Sequence, residues 1–117
     1  MKYLCLVYGE ENKLEGMSDV ECVAYDEALR ARGQCLASEA LQPVETATTV
    51  RVLNGKVSIT DGPFAETKET LAGFYLIDAR DLNEAIQIAS KIPPARVGCV
   101  EVRPIRELAG RNLGRTL

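Results

Sequence analysis

Two stretches constrain the fold of this chain more than anything else in its sequence. Tyr3-Leu4-Cys5-Leu6-Val7-Tyr8 and Leu71-Ala72-Gly73-Phe74-Tyr75-Leu76-Ile77 are uninterrupted apolar runs. Each is far shorter than the roughly 20 residues a membrane helix needs. As a strand, the first points Leu4, Leu6 and Tyr8 one way and Tyr3, Cys5 and Val7 the other. Strands that are apolar on both faces belong inside a sheet covered on both sides. The question is then what this chain has available to cover them.

Two segments read as helices. Ser18 stands before Asp19-Val20-Glu21 as an N-cap, with the Glu21 carboxylate placed to reach back to the Ser18 N–H. Val20, Val23, Ala24, Ala28 and Ala31 form a stripe flanked by Tyr25 and Leu29, and Gly33 suits a left-handed cap, so the spacing predicts a helix over about 19–32. Asp81 with Glu84 repeats the capping pattern, and Leu82, Ala85, Ile86, Ala89 and Ile92 make a second stripe ended by Pro93-Pro94. Gln34–Ala40 and Val97–Arg103 are further strand candidates, with Gly9–Gly16 and Asp61–Thr70 as loops. Thr48–Leu53 and Lys56–Thr60 flank Asn54-Gly55, a strong hairpin signal.

The order is therefore β-α-β, a hairpin, then β-α-β. That suits an α+β two-layer sandwich of the ferredoxin-like kind, an antiparallel sheet with an inserted β-hairpin. The domain is read as residues 1–105, with 106–117 as a peripheral tail. Two helices cover only one face of a sheet. A chain of 117 residues has nothing left for the other face, and a second copy packing sheet to sheet, a homodimer, is the simplest cover.

Composition excludes several functions. With 14 Lys+Arg against 17 Asp+Glu, the net charge of −3 argues against a nucleic-acid partner. No segment reads as a signal peptide or membrane span, and the location expected is cytoplasmic. The four cysteines, Cys5, Cys22, Cys35 and Cys99, form no CxxC pair and read as small buried hydrophobes in a reducing compartment. There is no histidine, which removes Ser-His-Asp and Cys-His catalysis and imidazole metal sites. Glu10, Glu11, Glu15, Asp19 and Glu21 match no calcium loop and read as a solvated face. No metal and no organic cofactor is expected.

Polar residues on otherwise apolar strands are the first site candidates. Glu101 and Arg103 alternate on the last strand, Arg51 lies in the first hairpin arm, and Glu39 is near the end of the second strand. They read either as pocket lining or as ion pairs at an interface rim.

The least generic segment is Thr60-Asp61-Gly62-Pro63-Phe64-Ala65-Glu66-Thr67-Lys68-Glu69. Asp61-Gly62-Pro63 is tight-turn chemistry, with the Asp side chain able to cap local N–H groups. Phe64, a large apolar side chain in a polar loop, reads as an anchor into an interface. This segment resembles the signature of the YCII-related family in its DGPF-motif branch. Ser38-Glu39-Ala40-Leu41-Gln42-Pro43, Gly73-Phe74-Tyr75-Leu76-Ile77 and Val100-Glu101-Val102-Arg103-Pro104 match as well. The resemblance covers about residues 1–105. It implies a dimeric α/β barrel with a sheet-face pocket near Asp61, and for some relatives a place beside sigma factors. Related branches are credited with a His–Asp pair, and here the Asp stands without any imidazole partner.

Three functions follow as expectations. The first in rank is a small-molecule-binding protein, an accessory to a sigma-factor system. The second is a cofactor-free lyase or isomerase in which Asp61 moves a proton and Arg51, Arg103 or Lys68 holds an anion. Tyr8 or Tyr75 would donate a hydrogen bond. The third is a purely structural turn, with Phe64 plugging the partner. Without histidine, binding ranks ahead of turnover.

Overall fold

The computed structural model describes residues 1–110; most of the expected tail, 111–117, lies outside that range. The elements are β1 (Lys2–Gly9), α1 (Glu11–Leu14), α2 (Asp19–Ala31), β2 (Cys35–Ala40), β3 (Thr48–Leu53), β4 (Lys56–Asp61), β5 (Thr70–Asp78), α3 (Leu82–Ser90) and β6 (Gly98–Pro104). Short 3-10 turns occupy Val44–Thr46 and Pro93–Arg96. Four strands form an antiparallel sheet in the order β2-β5-β1-β6, and β3-β4 is a separate two-stranded ribbon. This is the ferredoxin-like α+β arrangement with a hairpin inserted. Among the described residues no helix is long and apolar enough to cross a membrane.

The two doubly apolar strands are the central pair, β1 and β5. Their register sets Leu4 against Leu76, Cys5 against Tyr75 and Leu6 against Phe74, with a bulge between Val7 and Tyr8. The odd-numbered residues Tyr3, Cys5 and Val7 are buried under the helices with Tyr75, Ile77 and Cys35. Leu29 of α2 and Ile88 and Ile92 from the α3 side complete that core. Leu29, Ile77 and Ile92 are fully enclosed, and each such burial contributes about 1.5–3 kcal/mol. The opposite face carries Leu4, Leu6, Leu76 and Phe74, and among the described residues no element lies over it.

Capping follows the sequence only in part. Ser18 accepts from the Glu21 N–H at 3.3 Å and Asp81 from the Glu84 N–H at 2.9 Å. The return halves differ. Glu21 turns outward to a bidentate pair with Arg96 at 2.7 and 2.8 Å, because a guanidinium fork is a stronger partner than one backbone amide. Glu84 accepts from the Arg80 N–H instead of that of Asp81.

The helix stripes are also displaced. On α2 the inward side is Cys22, Tyr25, Asp26 and Leu29, while Val20, Val23, Ala24, Ala28 and Ala31 are exposed. Small and β-branched residues supplied a 3.6-residue period, but the larger Tyr25 and Leu29 decide which side docks. The Tyr25 hydroxyl donates to the Ile88 carbonyl at 2.6 Å, and its ring meets Tyr75 edge-on with centroids 6.3 Å apart. On α3 the buried row is Ala85, Ile88 and Ala89, continued by Ile92 just past its end, leaving Leu82 and Ile86 exposed. The loop expected over 9–16 contains the one-turn helix α1.

The Asn54-Gly55 turn is as its residues require: both have positive φ, 50° and 77°, the signature of a type I′ hairpin. Of the cysteines, Cys5 and Cys35 are buried, Cys22 is half-buried and Cys99 is exposed. Cys99 departs from the expected burial because it sits opposite Tyr8 on the uncovered face.

Candidate functional site

The motif segment forms the base of the β3–β4 arm. Gly62 has φ +96°, a region that glycine alone enters freely. Its N–H donates to the Ala47 carbonyl at 2.7 Å, and its carbonyl accepts from Thr49 Oγ1 at 2.8 Å. The turn is thus clamped by Gly62 and Thr49. The Asp61 side chain, expected to cap it, is exposed and has no hydrogen-bond or ion-pair partner among the described residues.

Beside this clamp the chain encloses its largest described cavity, about 790 Å³. One wall is the end of the uncovered sheet face, Tyr8 and Leu71. The second is the Leu41–Thr49 segment, and the third is Pro63-Phe64-Ala65 from the motif. The lining is mainly aliphatic, with the Tyr8 phenol, threonine hydroxyls, the Gln42 amide and the Glu69 carboxylate as its polar groups. Its size falls in the range of small-molecule sites.

Tyr8, Thr67 and Glu69 also line an adjoining recess of about 480 Å³ with Glu10, Lys68 and Cys99. Charges there are matched. Glu10 accepts from Lys13 at 2.7 Å and lies 3.7 Å from Lys68. The Lys13 hydrogen bond, opposed by partial burial, holds the Glu10 carboxyl below its ordinary range. Glu11 accepts from the Val44 N–H at 2.8 Å, fastening α1 to the cavity wall. Of the acidic run, Glu10, Glu11 and Glu21 have individual partners, while Glu15 and Asp19 are exposed. Among the described residues no group of Cys, Asp and Glu is arranged to hold a metal ion.

The structure brings together Tyr8, Lys68 and Phe64 of the sequence candidates. Phe64 is 80% exposed at the cavity rim. Glu101 and Arg103 project from β6 onto the uncovered face, opposite Leu6 and Leu4. Glu39 lies across from Phe74 at the β2 edge of that face. Arg51 is out on the arm, paired with Ser58. Neither Arg51, Glu39, Glu101 nor Arg103 takes part in an ion pair among the described residues. Asp61 lies outside the cavity lining.

Tyr75 points to the helix side, where burial pushes its phenol up to about 12. It borders a separate recess of about 220 Å³ with Asp26, Ser38 and Cys22. Asp26 is the hub there, accepting from Ser38 Oγ at 2.6 Å, Arg30 Nε at 2.9 Å and Cys35 Sγ at 3.3 Å. Sequence reasoning missed this network. The i, i+4 pair Asp26–Arg30 was its one visible signal, since the Ser38 and Cys35 contacts depend on how α2 docks.

The uncharged lining of the main cavity was likewise missed. Leu41, Val44, Ala47 and Thr70 carry no chemical signature, and only the turn residues flanking them did.

Comparison with known proteins agrees with this architecture. A protein of Rhizobium meliloti described only as uncharacterised is 48% identical over 67 residues, 56% of this chain and 54% of that protein, so the match spans about half the relative's length. The solved structure of TftG, a 5-chloro-2-hydroxyhydroquinone dehydrochlorinase of Burkholderia phenoliruptrix, in complex with 2,5-dihydroxybenzoquinone, superposes with a TM-score of 0.56. It does so at 14% identity, covering 91% of this chain and 94% of that one, a likeness of fold. With the model of the YCII-related domain matching residues 1–109, the chain belongs to the YCII-related family.

Proposed function

We propose that this protein binds a small, largely apolar ring compound in the cavity between Tyr8, the Leu41–Thr49 segment and the motif loop. The observation that carries this reading is the cavity itself: about 790 Å³, aliphatic walls, and a few polar groups led by the Tyr8 phenol. Among the described residues no lysine or arginine lines the cavity, whose one charged side chain is Glu69, and Lys68 in the adjoining recess is paired with Glu10; this favours an uncharged ligand over an anion. The TftG complex, in which a protein of the same fold holds a dihydroxylated quinone, supports a ligand of that size.

A second copy covers Leu4, Leu6, Phe74 and Leu76 in this reading, since those side chains form a contiguous apolar face that no element among the described residues covers. Glu101, Arg103 and Glu39 then stand at the rim of the pair. Turnover through Asp61 has less support, because its carboxylate is exposed and lies outside the cavity lining. The role beside a sigma factor rests on the family resemblance and is tested by co-purification.

The cavity reading is tested by thermal shift with 2,5-dihydroxybenzoquinone, hydroquinone, catechol and related rings. A ligand at 100 times its Kd stabilises the native state by about 2.7 kcal/mol, or roughly 10 °C for a domain of this size. Ala65→Trp, which fills the cavity, abolishes the shift. A panel that leaves wild type unmoved, or a shift that survives Ala65→Trp unchanged, overturns the proposal.

A further inference from the structure

The β3–β4 arm is the part of the fold that buries least. Of its strand residues only Thr49 escapes full exposure. The radius of gyration is 16.1 Å, against about 13 Å for a compact chain of this length, as an arm standing off the body requires. Its register sorts the side chains by chemistry. Val50 pairs with Ile59 and Val52 with Val57 on one face, while Arg51 with Ser58 and Leu53 with Lys56 lie on the other. The four aliphatic side chains of the first face are 59 to 68% exposed. An isolated two-stranded ribbon is marginal in water at best, and this face, aliphatic over its outer two pairs above a polar Thr48–Asp61 pair at the base, needs a surface to lie on.

We propose that this arm crosses to a second copy of the chain and lays its Val50-Val52-Val57-Ile59 face on that copy. The inference rests on the sheet-face pairing proposed above and extends it. A second copy is the occupant because the pairing proposed above already seats one against Leu4, Leu6, Phe74 and Leu76, and the arm springs from the end of that face. The lining of the main cavity runs unbroken from that sheet, at Tyr8 and Leu71, to the arm base at Thr48 and Thr49. In a two-fold pair each patch occurs twice, so both arms find equivalent landing sites and the assembly closes.

Size points the same way. Four strands by about six residues give a sheet face of roughly 19 by 20 Å, under half of the ~800 Å² each partner buries in a stable pair. A ribbon face six residues long adds about 200 Å², and Phe64 at its base adds roughly 120–200 Å² more. Arg51 and Lys56, on the opposite face of the arm, stay in water.

Photo-crosslinking in the full chain separates the two levels of the argument. Val52 and Leu6 are replaced, one at a time, by p-benzoylphenylalanine, and isotopically labelled and unlabelled chains are mixed before irradiation. Both positions are expected to give interchain products. In parallel, Val52→Thr with Val57→Thr keeps β-branching and volume in the arm, and raises the dimer Kd at least tenfold by sedimentation equilibrium. If Leu6 crosslinks between chains while Val52 does not, and the double variant dimerises like wild type, the arm inference is wrong and the pairing stands. If neither position crosslinks and wild type sediments as a monomer at micromolar concentration, the pairing fails and the arm inference falls with it.

Discussion

Replacing Gly62 by Ala tests where the motif carries its structural weight. Among the described residues, none beyond its two chain neighbours has an atom within 4 Å of the site a Cβ would occupy, so the substitution meets no steric obstacle there. What it meets is backbone conformation: φ is +96°, and an L-residue held on that side costs about 1–2 kcal/mol. The strain falls between two bonds, Gly62 N–H to Ala47 and Thr49 Oγ1 to the Gly62 carbonyl, that tie the arm to its base. Native-state hydrogen exchange of the arm amides, Val50, Val52, Val57 and Ile59, reads that loss whether the arm opens alone or with the body. A loss of 1–2 kcal/mol speeds exchange by roughly 5- to 30-fold. Asp61→Ala is the control. Its side chain is exposed and unpartnered, so it changes stability by no more than about 0.5 kcal/mol and exchange by little over twofold. Protomer concentration is held fixed, because any pairing adds to apparent stability. If Asp61→Ala accelerates exchange as much as Gly62→Ala, the assignment of the clamp to Gly62 and Thr49 is refuted.

Other consequences follow from the same geometry. Burial alone would raise the Asp26 carboxyl, but hydrogen bonds from Ser38, Arg30 and Cys35 outweigh it and hold the group below its ordinary range. A depressed carboxyl contributes stability above its unfolded pKa of about 3.9 and loses it as pH falls through the folded value; urea titrations from pH 6 to pH 2 show a shallower acid decline in Asp26→Asn than in wild type. Tyr25→Phe deletes the 2.6 Å bond to the Ile88 carbonyl and costs about 1 kcal/mol, near 4 °C in melting temperature by calorimetry. Thiol alkylation followed by mass spectrometry modifies exposed Cys99 first, while Cys5, buried and pushed up to about 11, stays unmodified until the chain unfolds.

The strand plan was legible because β1 and β5 write their position in composition: a run apolar at every residue can only be central. The Asn54-Gly55 turn was legible because few residue pairs tolerate two positive φ angles. Helix docking was not, since α2 offers an aliphatic stripe and a Cys22-Tyr25-Leu29 stripe on adjacent sides, and the choice depends on the Tyr75 ring and the Ile88 carbonyl waiting across the core. The site was legible at its turn residues and obscure at its walls. Asp61 drew attention as the motif's ionisable group, yet the turn is held by backbone groups and a threonine, whose roles no spacing announces.

The cavity and the uncovered surfaces are continuous, and that has a thermodynamic consequence. Tyr8 and Leu71 belong at once to the cavity wall and to the bare sheet face, and Thr48 belongs to the cavity wall and to the arm. A second copy seated on that face necessarily alters the cavity's openness, and a ligand seated in the cavity alters the surface the second copy meets. The two binding events share side chains, so their free energies are coupled, and the coupling is reciprocal: whatever factor a ligand applies to the dimer Kd, dimerisation applies to the ligand Kd. Sedimentation with and without a bound ring compound measures the first factor, and titration above and below the dimer Kd measures the second. A common factor different from one ties the pocket to the interface. If both factors equal one, the cavity functions independently of the pairing, and its third wall, Pro63-Phe64-Ala65, is then complete within a single chain.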